Sequence, residues 1–269
     1  MIYLIGLILI IAAAYLFSTR CRRDHSGLQA LQGWAYAHRG LHGDGVPENS
    51  MAAFRRAKMA GYGIELDIHL LADGDLAVIH DAALVRTTGK DGYIEQLTAD
   101  QLGNLYLEGT LETVPLLRDV LALIKGEVPL ILELKAEGNN CAALCRTVCD
   151  MLDTYDGVYC LESFDPRCIR WLRKNRPDLI RGQLAENYFS ARKSKMPWYL
   201  KLVLTTHMMN FLTLPDFVAY RYRDRKIFAN AICSKLWNAQ GVTWTIKTQE
   251  ELDTAVSEGW IPIFEGFRP

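Results

Sequence analysis

Three carboxylates, two histidines and two cations stand at the ends of short apolar runs, and together they describe a site for breaking a phosphate ester. Glu65 and Asp67 lie in GIELDIHL (63–70); Glu133 and Lys135 lie in PLILELK (129–135). Side chains alternate along a strand, so Glu65, Asp67 and His69 share one face, as do Glu133 and Lys135. Carboxylates in apolar strands are too costly to bury without compensation. Lys135 and Arg39 neutralise part of that charge. A hard divalent cation, Ca²⁺ or Mg²⁺, suits the oxygen ligands Glu65, Asp67 and Glu133. His38 ends one run in His38-Arg39-Gly40, and His80 ends another in His80-Asp81. These two supply a general acid and a general base. The cation and Arg39 would take the charge developing on phosphoryl oxygens. Any one of these residues alone is commonly structural. The joint pattern over four strand ends is not explained by packing.

Such residues need elements to bring them together. Strand-like runs fall near 35–39, 63–70, 76–80, 129–135, 157–163, 179–184, 216–220, 241–246 and 261–265. Helical patterns lie at 49–60, 115–125, 138–153, 166–175, 223–238 and 248–257. This alternation argues for a parallel α/β sheet. No G-x-G-x-x-G or G-x-x-x-x-G-K-[ST] follows a strand, so the usual nucleotide-binding sheet has no support. Nine runs are one more than a closed barrel needs, and a hairpin at Asp73-Gly74 would absorb the surplus. Open sheet and closed barrel both stand at this point. In a barrel the polar face points inward, because against the helices it would lack partners.

The chain has 269 residues, half of them apolar, and a net charge of −1 from 30 basic and 31 acidic side chains. That balance excludes a disordered chain and gives no sign of a nucleic-acid partner. Residues 1–17 carry no charge and lack the basic start of a signal peptide. They predict a transmembrane anchor over 1–19, a linker over 20–33 and a catalytic domain over 34–269. Arg20, Arg22 and Arg23 follow the run, which predicts a single-pass membrane protein with a cytoplasmic body. Cys141, Cys145 and Cys149 fall at i, i+4, i+8, a small-residue packing stripe in preference to a metal or redox cluster. Residues 197–214, with Arg192, Lys193, Lys195 and Lys201 nearby, read as a barrel helix and its connection, or as an interfacial segment that dips into lipid. His25 in the linker needs no role, and His207 reads as structural.

The stretch 37–92 closely resembles the glycerophosphodiester phosphodiesterases. The matching pieces are His38-Arg39-Gly40, Pro47-Glu48-Asn49-Ser50, Phe54, Glu65-Leu66-Asp67, Asp73-Gly74, His80-Asp81 and Arg86-Thr87-Thr88-Gly89. Leu132-Glu133-Leu134-Lys135, Glu162-Ser163-Phe164, Pro215-Asp216-Phe217 and Trp244-Thr245 extend the resemblance to about 35–269. Glu265 stands where the family often has Asp, Lys247 where many members have Asn, and His69 at a Gln-or-His position. The resemblance implies a TIM (β/α)8 barrel and hydrolysis of glycerophosphodiesters to glycerol 3-phosphate and an alcohol. It implies metal ligands Glu65, Asp67 and Glu133, catalytic His38 and His80, and a phosphate held by Arg39 and Lys135. It also implies that a neighbouring glycerol hydroxyl attacks first, giving a cyclic phosphate that water opens. Trp244 would wall the glycerol pocket or fill core. Residues 81–113 would be an insertion near the site mouth.

Three rival readings remain. One is a lysophospholipase D-type enzyme acting on acylated lysophospholipids at the membrane. Another is an inactive, membrane-tethered binding module, which would have lost one of the five acid, base or metal residues. The last is a metal-independent hydrolase.

Overall fold

The computed structural model describes residues 1–23, 26–190 and 196–269. His25, Arg192, Lys193 and Lys195 lie outside them. The chain opens with α1 (Ile2–Ser18) and a 3-10 turn at Ser26–Leu31. Then come β1 (Tyr36–Ala37), α2 (Met51–Met59), β2 (Gly63–Leu70) and β3 (Leu76–Val78). The following insertion holds the single turns α3 (Val85–Thr88) and α4 (Ala99–Leu102). Alternation resumes with α5 (Leu117–Ile124), β4 (Leu130–Leu134), α6 (Cys141–Leu152), β5 (Tyr159–Ser163), α7 (Pro166–Asn175) and β6 (Arg181–Ala185). Two short helices, α8 (Trp198–Thr205) and α9 (Asn210–Thr213), precede β7 (Phe217–Arg221). The chain ends with α10 (Phe228–Trp237), β8 (Gln240–Ile246), α11 (Gln249–Ser257) and β9 (Trp260–Phe264).

The sheet closes. β1 pairs parallel with both β2 and β9, and the other strands follow in order round a barrel of eight parallel strands. The ninth strand, β3, is the hairpin partner of β2, antiparallel from Ile68↔Val78 to Leu70↔Leu76. The Asp73-Gly74 turn therefore removes the surplus strand, and Gly74 adopts φ +89, open to glycine at little cost.

Alternation sorts the side chains into two cores. Ile64, Leu66 and Ile68 of β2 and Leu130, Leu132 and Leu134 of β4 pack outward against Phe54 of α2, Val120 of α5 and Leu144 of α6. Tyr36, Ile131, Cys160, Phe217 and Ile261 fill the lower barrel. The aromatic rings in that interior need neighbours without side chains. A Cβ on Gly182 would stand 2.0 Å from the Phe217 ring, and one on Gly63 would stand 2.6 Å from Tyr36. One layer higher, the inward positions are His38, Glu65, Glu133, Glu162, Trp244 and Glu265.

The expected membrane span is overturned. No helix among the described residues is long and apolar enough to cross a membrane. α1 has 17 residues. At about 1.5 Å per residue it reaches about 26 Å, short of a hydrocarbon core of about 30 Å. Ser18 and Thr19 close it, their hydroxyls donating to Tyr15 O and Leu16 O. Two of the three arginines taken as a topology signal instead tie the chain to the barrel. Arg22 pairs with Asp216 at 2.5 Å, and Arg23 lies 5.3 Å from the centroid of the Trp237 ring. The placement as a single-pass membrane protein with a cytoplasmic body falls with the span.

Candidate active site

The turn after β1 is the first piece of the site. Arg39 holds φ 55 and Asn49 holds φ 51, a left-handed conformation that is uncommon outside glycine. In that conformation the Arg39 amide donates to Glu65 Oε2 at 3.0 Å. Asn49 Nδ2 donates to Asp67 Oδ2 at 2.8 Å. The next residue, Ser50, accepts from Ala53 N and caps α2, so one short loop fixes both the helix start and a carboxylate.

β2 and β4 are neighbours, with Asp67 opposite Glu133. Lys135 Nζ bridges them, 2.9 Å from Asp67 Oδ1 and 2.8 Å from Glu133 Oε1. Oxygen atoms of Glu65, Asp67 and Glu133 all lie within 4.8 Å of one another, and all three residues are buried. Glu162 on β5 adds a fourth buried carboxyl beside Glu133. Four carboxyls thus face two cations, Arg39 and Lys135. If all ionise, two negative charges are left over, which fits one divalent cation on an all-oxygen donor set.

Each histidine has a carboxylate behind it. His38 Nδ1 is 3.2 Å from Glu265 Oε2, and Lys247 Nζ donates to that same oxygen at 2.6 Å. His80 Nδ1 is 2.6 Å from Asp81 Oδ1. Arg86 donates to Asp81 and to Glu48, and Glu48 also accepts from Arg39 at 2.8 Å. An Nδ1–H donated to carboxylate leaves Nε2 as the free base. Both histidines line one cavity of about 290 Å³, with Arg39, Glu65, Glu133 and Glu162. Phe164 and Trp244, edge to face at 5.6 Å, form its apolar wall.

Burial and charge set the protonation states. Burial drives the Glu65 carboxyl well above its ordinary range, reinforced by Asp67 and Glu133. Burial pushes Asp67 the same way, but Lys135, His80 and Arg39 overcome it and hold Asp67 well below. Glu133 is pushed up to about 7 by burial, against the pull of Lys135. Burial and the neighbouring Glu133 raise Glu162 strongly. Burial lowers His38, opposed by Glu265, and lowers His80 to about 4. Both imidazoles are therefore neutral at neutral pH. Three polar atoms of residues lining the cavity are buried without a hydrogen-bond partner among the described residues: Arg39 Nε, Glu162 Oε2 and Trp244 Nε1. Unsatisfied donors and acceptors lining a cavity are what a polar ligand completes.

All eight residues singled out in the sequence come to this place. Asp67 and Lys135 sit beneath the cavity; the other six line it. His69, on the same face, is not at the cavity: it bonds Glu95 at 2.5 Å and His80 O at 3.2 Å, fastening the insertion to the barrel. His207 is buried on Asn230 Oδ1 at 2.6 Å, a structural role. Sequence reasoning gave no role to Glu162, Asp81, Arg86 or Glu265, although each stands in or beside a quoted motif. For Glu48 it set capping, with Asn49 or Ser50 as the caps at hand, above a pocket role; Ser50 caps α2, and Glu48 accepts from Arg39 beside the cavity.

Residues 38–264 match the Glycerophosphoryl diester phosphodiesterase family. A glycerophosphodiester phosphodiesterase of Caldanaerobacter subterraneus subsp. tengcongensis is 27% identical over 237 residues, covering 83% of this chain and 89% of that one. One of Bacillus altitudinis is 45% identical over 96 residues, 33% of this chain and 39% of that one. Among solved structures, an Oleispira antarctica phosphodiesterase in complex with the product sn-glycerol-3-phosphate has a TM-score of 0.70 at 23% identity, covering 86% and 92% of the two chains. At that identity the likeness is one of fold. The family match spans the barrel from the end of β1 to the end of β9 and every residue of the site but Glu265, and the chain belongs to the glycerophosphoryl diester phosphodiesterase family.

Proposed function

We propose that this chain hydrolyses glycerophosphodiesters to glycerol 3-phosphate and an alcohol. The observation that carries the reading is the pair of carboxylate-backed histidines opening on one cavity floored by Glu65, Asp67 and Glu133. Those three would hold Ca²⁺ or Mg²⁺, which when bound supplies Lewis-acid polarisation of the phosphoryl group. Arg39 and Lys135 hold the phosphate by charge-assisted hydrogen bonds. One imidazole takes the proton of the neighbouring glycerol hydroxyl as its oxygen attacks phosphorus. The other gives a proton to the departing alcohol oxygen. A cyclic glycerol phosphate results, and water opens it with the two roles exchanged. A bound phosphodiester anion raises the neighbouring imidazole, so the substrate itself favours the protonated form that the acid step needs. Phe164 and Trp244 wall the glycerol side.

Glu265, at the cavity edge, positions His38. Glu265→Gln is expected to lower kcat about tenfold while KM moves little, because the charge holding the imidazole tautomer is lost and phosphate binding is not. A fall in kcat/KM carried by KM alone would contradict that role.

A second reading, an acylated lysophospholipid substrate, is favoured by one feature. The β6–β7 connection exposes Trp198, Tyr199, Leu200 and Leu202 on α8, and α1 also exposes apolar side chains. These faces would meet lipid from the surface, without a span. The test is turnover of glycerophosphocholine, of lysophosphatidylcholine, and of a diester lacking the neighbouring hydroxyl. Turnover of the first alone supports the main reading. Turnover of the second alone transfers it to lysophospholipids. Turnover of the third excludes attack by the substrate's own hydroxyl.

A further inference from the structure

Away from the acidic cavity, three thiols meet between two helices. The sulfurs of Cys141, Cys145 and Cys168 lie within 4.8 Å of one another. The stripe read from the sequence had Cys149 as its third member. Cys149 is buried in the same core but outside this group, which Cys168 of α7 forms with the two residues of α6. Cys168 donates to Cys141 Sγ across 3.1 Å. A disulfide needs about 2.05 Å, so the two sulfurs must close by about 1 Å.

The position of this pair suits thiol chemistry. Cys141 is the first residue of α6, and Cys168 is the third of α7. Two helix N-termini therefore converge on two sulfurs, and the positive end of a helix favours thiolate. Hydrogen bonds from the neighbouring thiols also draw Cys141 below its ordinary range, while Cys168 is raised. Cys141 lines a cavity of about 330 Å³ whose rim carries Arg167, Arg170 and Lys174. This rim gives an anionic reagent a route towards Cys141, the one residue of the three that lines the cavity. Both helices also begin just beyond active-site strands: α6 after Glu133 and Lys135, α7 after Glu162 and Phe164. Ser163 Oγ donates to Leu134 O at 2.7 Å and ties those two strand ends together.

We propose that Cys141 and Cys168 form a reversible dithiol–disulfide site served by a small anionic disulfide of the glutathione type. The Cys141 thiolate attacks one sulfur of that disulfide, forms a mixed disulfide and releases one thiolate. The Cys168 thiolate then attacks the Cys141 sulfur, and the second small thiolate leaves. Two protein thiols are oxidised, one small disulfide is reduced to two thiols, and the two protons pass to the departing thiolates. Cys145, behind the pair, stays a thiol.

The experiment uses the full chain, reduced and then equilibrated with glutathione disulfide. The seven thiols should fall to five, with peptide mapping joining Cys141 to Cys168, and dithiothreitol should restore seven. Cys141→Ser and Cys168→Ser should each abolish the pairing, and Cys149→Ser should keep it. Arg170→Gln should slow oxidation by glutathione disulfide several-fold, and oxidation by uncharged hydroxyethyl disulfide much less. Seven free thiols at every ratio, a different pairing, or a zinc or copper ion shielding the three thiols would overturn the proposal.

Discussion

His38→Ala and His80→Ala should each lower kcat on glycerophosphocholine by about 10²–10⁴, with KM shifted far less. A positioned general acid or base contributes about that much. Arg39 and Lys135, the proposed phosphate ligands, are anchored by Glu48, Asp67 and Glu133 and do not depend on either imidazole. The double variant should be little worse than the poorer single one, because both proton transfers belong to one step. Stability should hardly change, since both histidines sit at the cavity surface and not in the packed layers. The measurement is steady-state kinetics on folded variants. Activity within a few-fold of the parent in either would remove that residue from the reaction.

Lys135→Met should produce the largest loss of stability. The Lys135 ammonium is the shared partner of Asp67 and Glu133 in a buried place. Deleting one partner of a buried ion pair costs about 3–5 kcal/mol, because the remaining charge is uncompensated. The loss should depend on pH in the metal-free protein. Glu133 is already raised from 4.5 to about 7 by burial. A carboxyl raised on folding adds stability below its unfolded pKa, and that stability disappears as pH rises through the folded value. In EDTA, the Glu133 contribution should therefore be lost as pH rises through about 7, against the gain from His38 and His80, which burial lowers. The variant should lose more, and Ca²⁺ or Mg²⁺ should recover part of it. Urea unfolding at pH 5.5 and 8 reads both effects. A variant as stable as its parent at pH 8 would mean that Lys135 does not compensate these carboxylates.

Much of the fold was legible because barrel strands are buried on both faces and announce themselves as short apolar runs. All nine runs became strands, and Asp73-Gly74 made the hairpin that reconciles nine with eight. The acids were legible for the opposite reason: Glu65, Asp67 and Glu133 interrupt those runs. Partners that meet only on closure were not. Glu265 reaches His38 across 227 positions because β1 pairs with β9, and Arg86 reaches Glu48 across 38. The α8–α9 segment exposes Trp198, Tyr199, Leu200 and Leu202 and buries the polar Thr205, Asn210 and Thr213, so it shows no apolar face at helical period. The N-terminal run misled because hydropathy does not show where a helix stops; Ser18 and Thr19 end it too early to span. The cysteine stripe was legible as packing, since Cys141, Cys145 and Cys149 are all buried in the core; Cys168, which comes from the next helix, was not.

The most direct test of the central claim is release of glycerol 3-phosphate from glycerophosphocholine by the full chain. It is measured in EDTA and after adding Ca²⁺ or Mg²⁺ back, beside Glu133→Gln. The acidic floor predicts turnover lost in EDTA, restored by a divalent cation, and not restored in the variant. Equal turnover with and without the cation, in parent and variant alike, would contradict it.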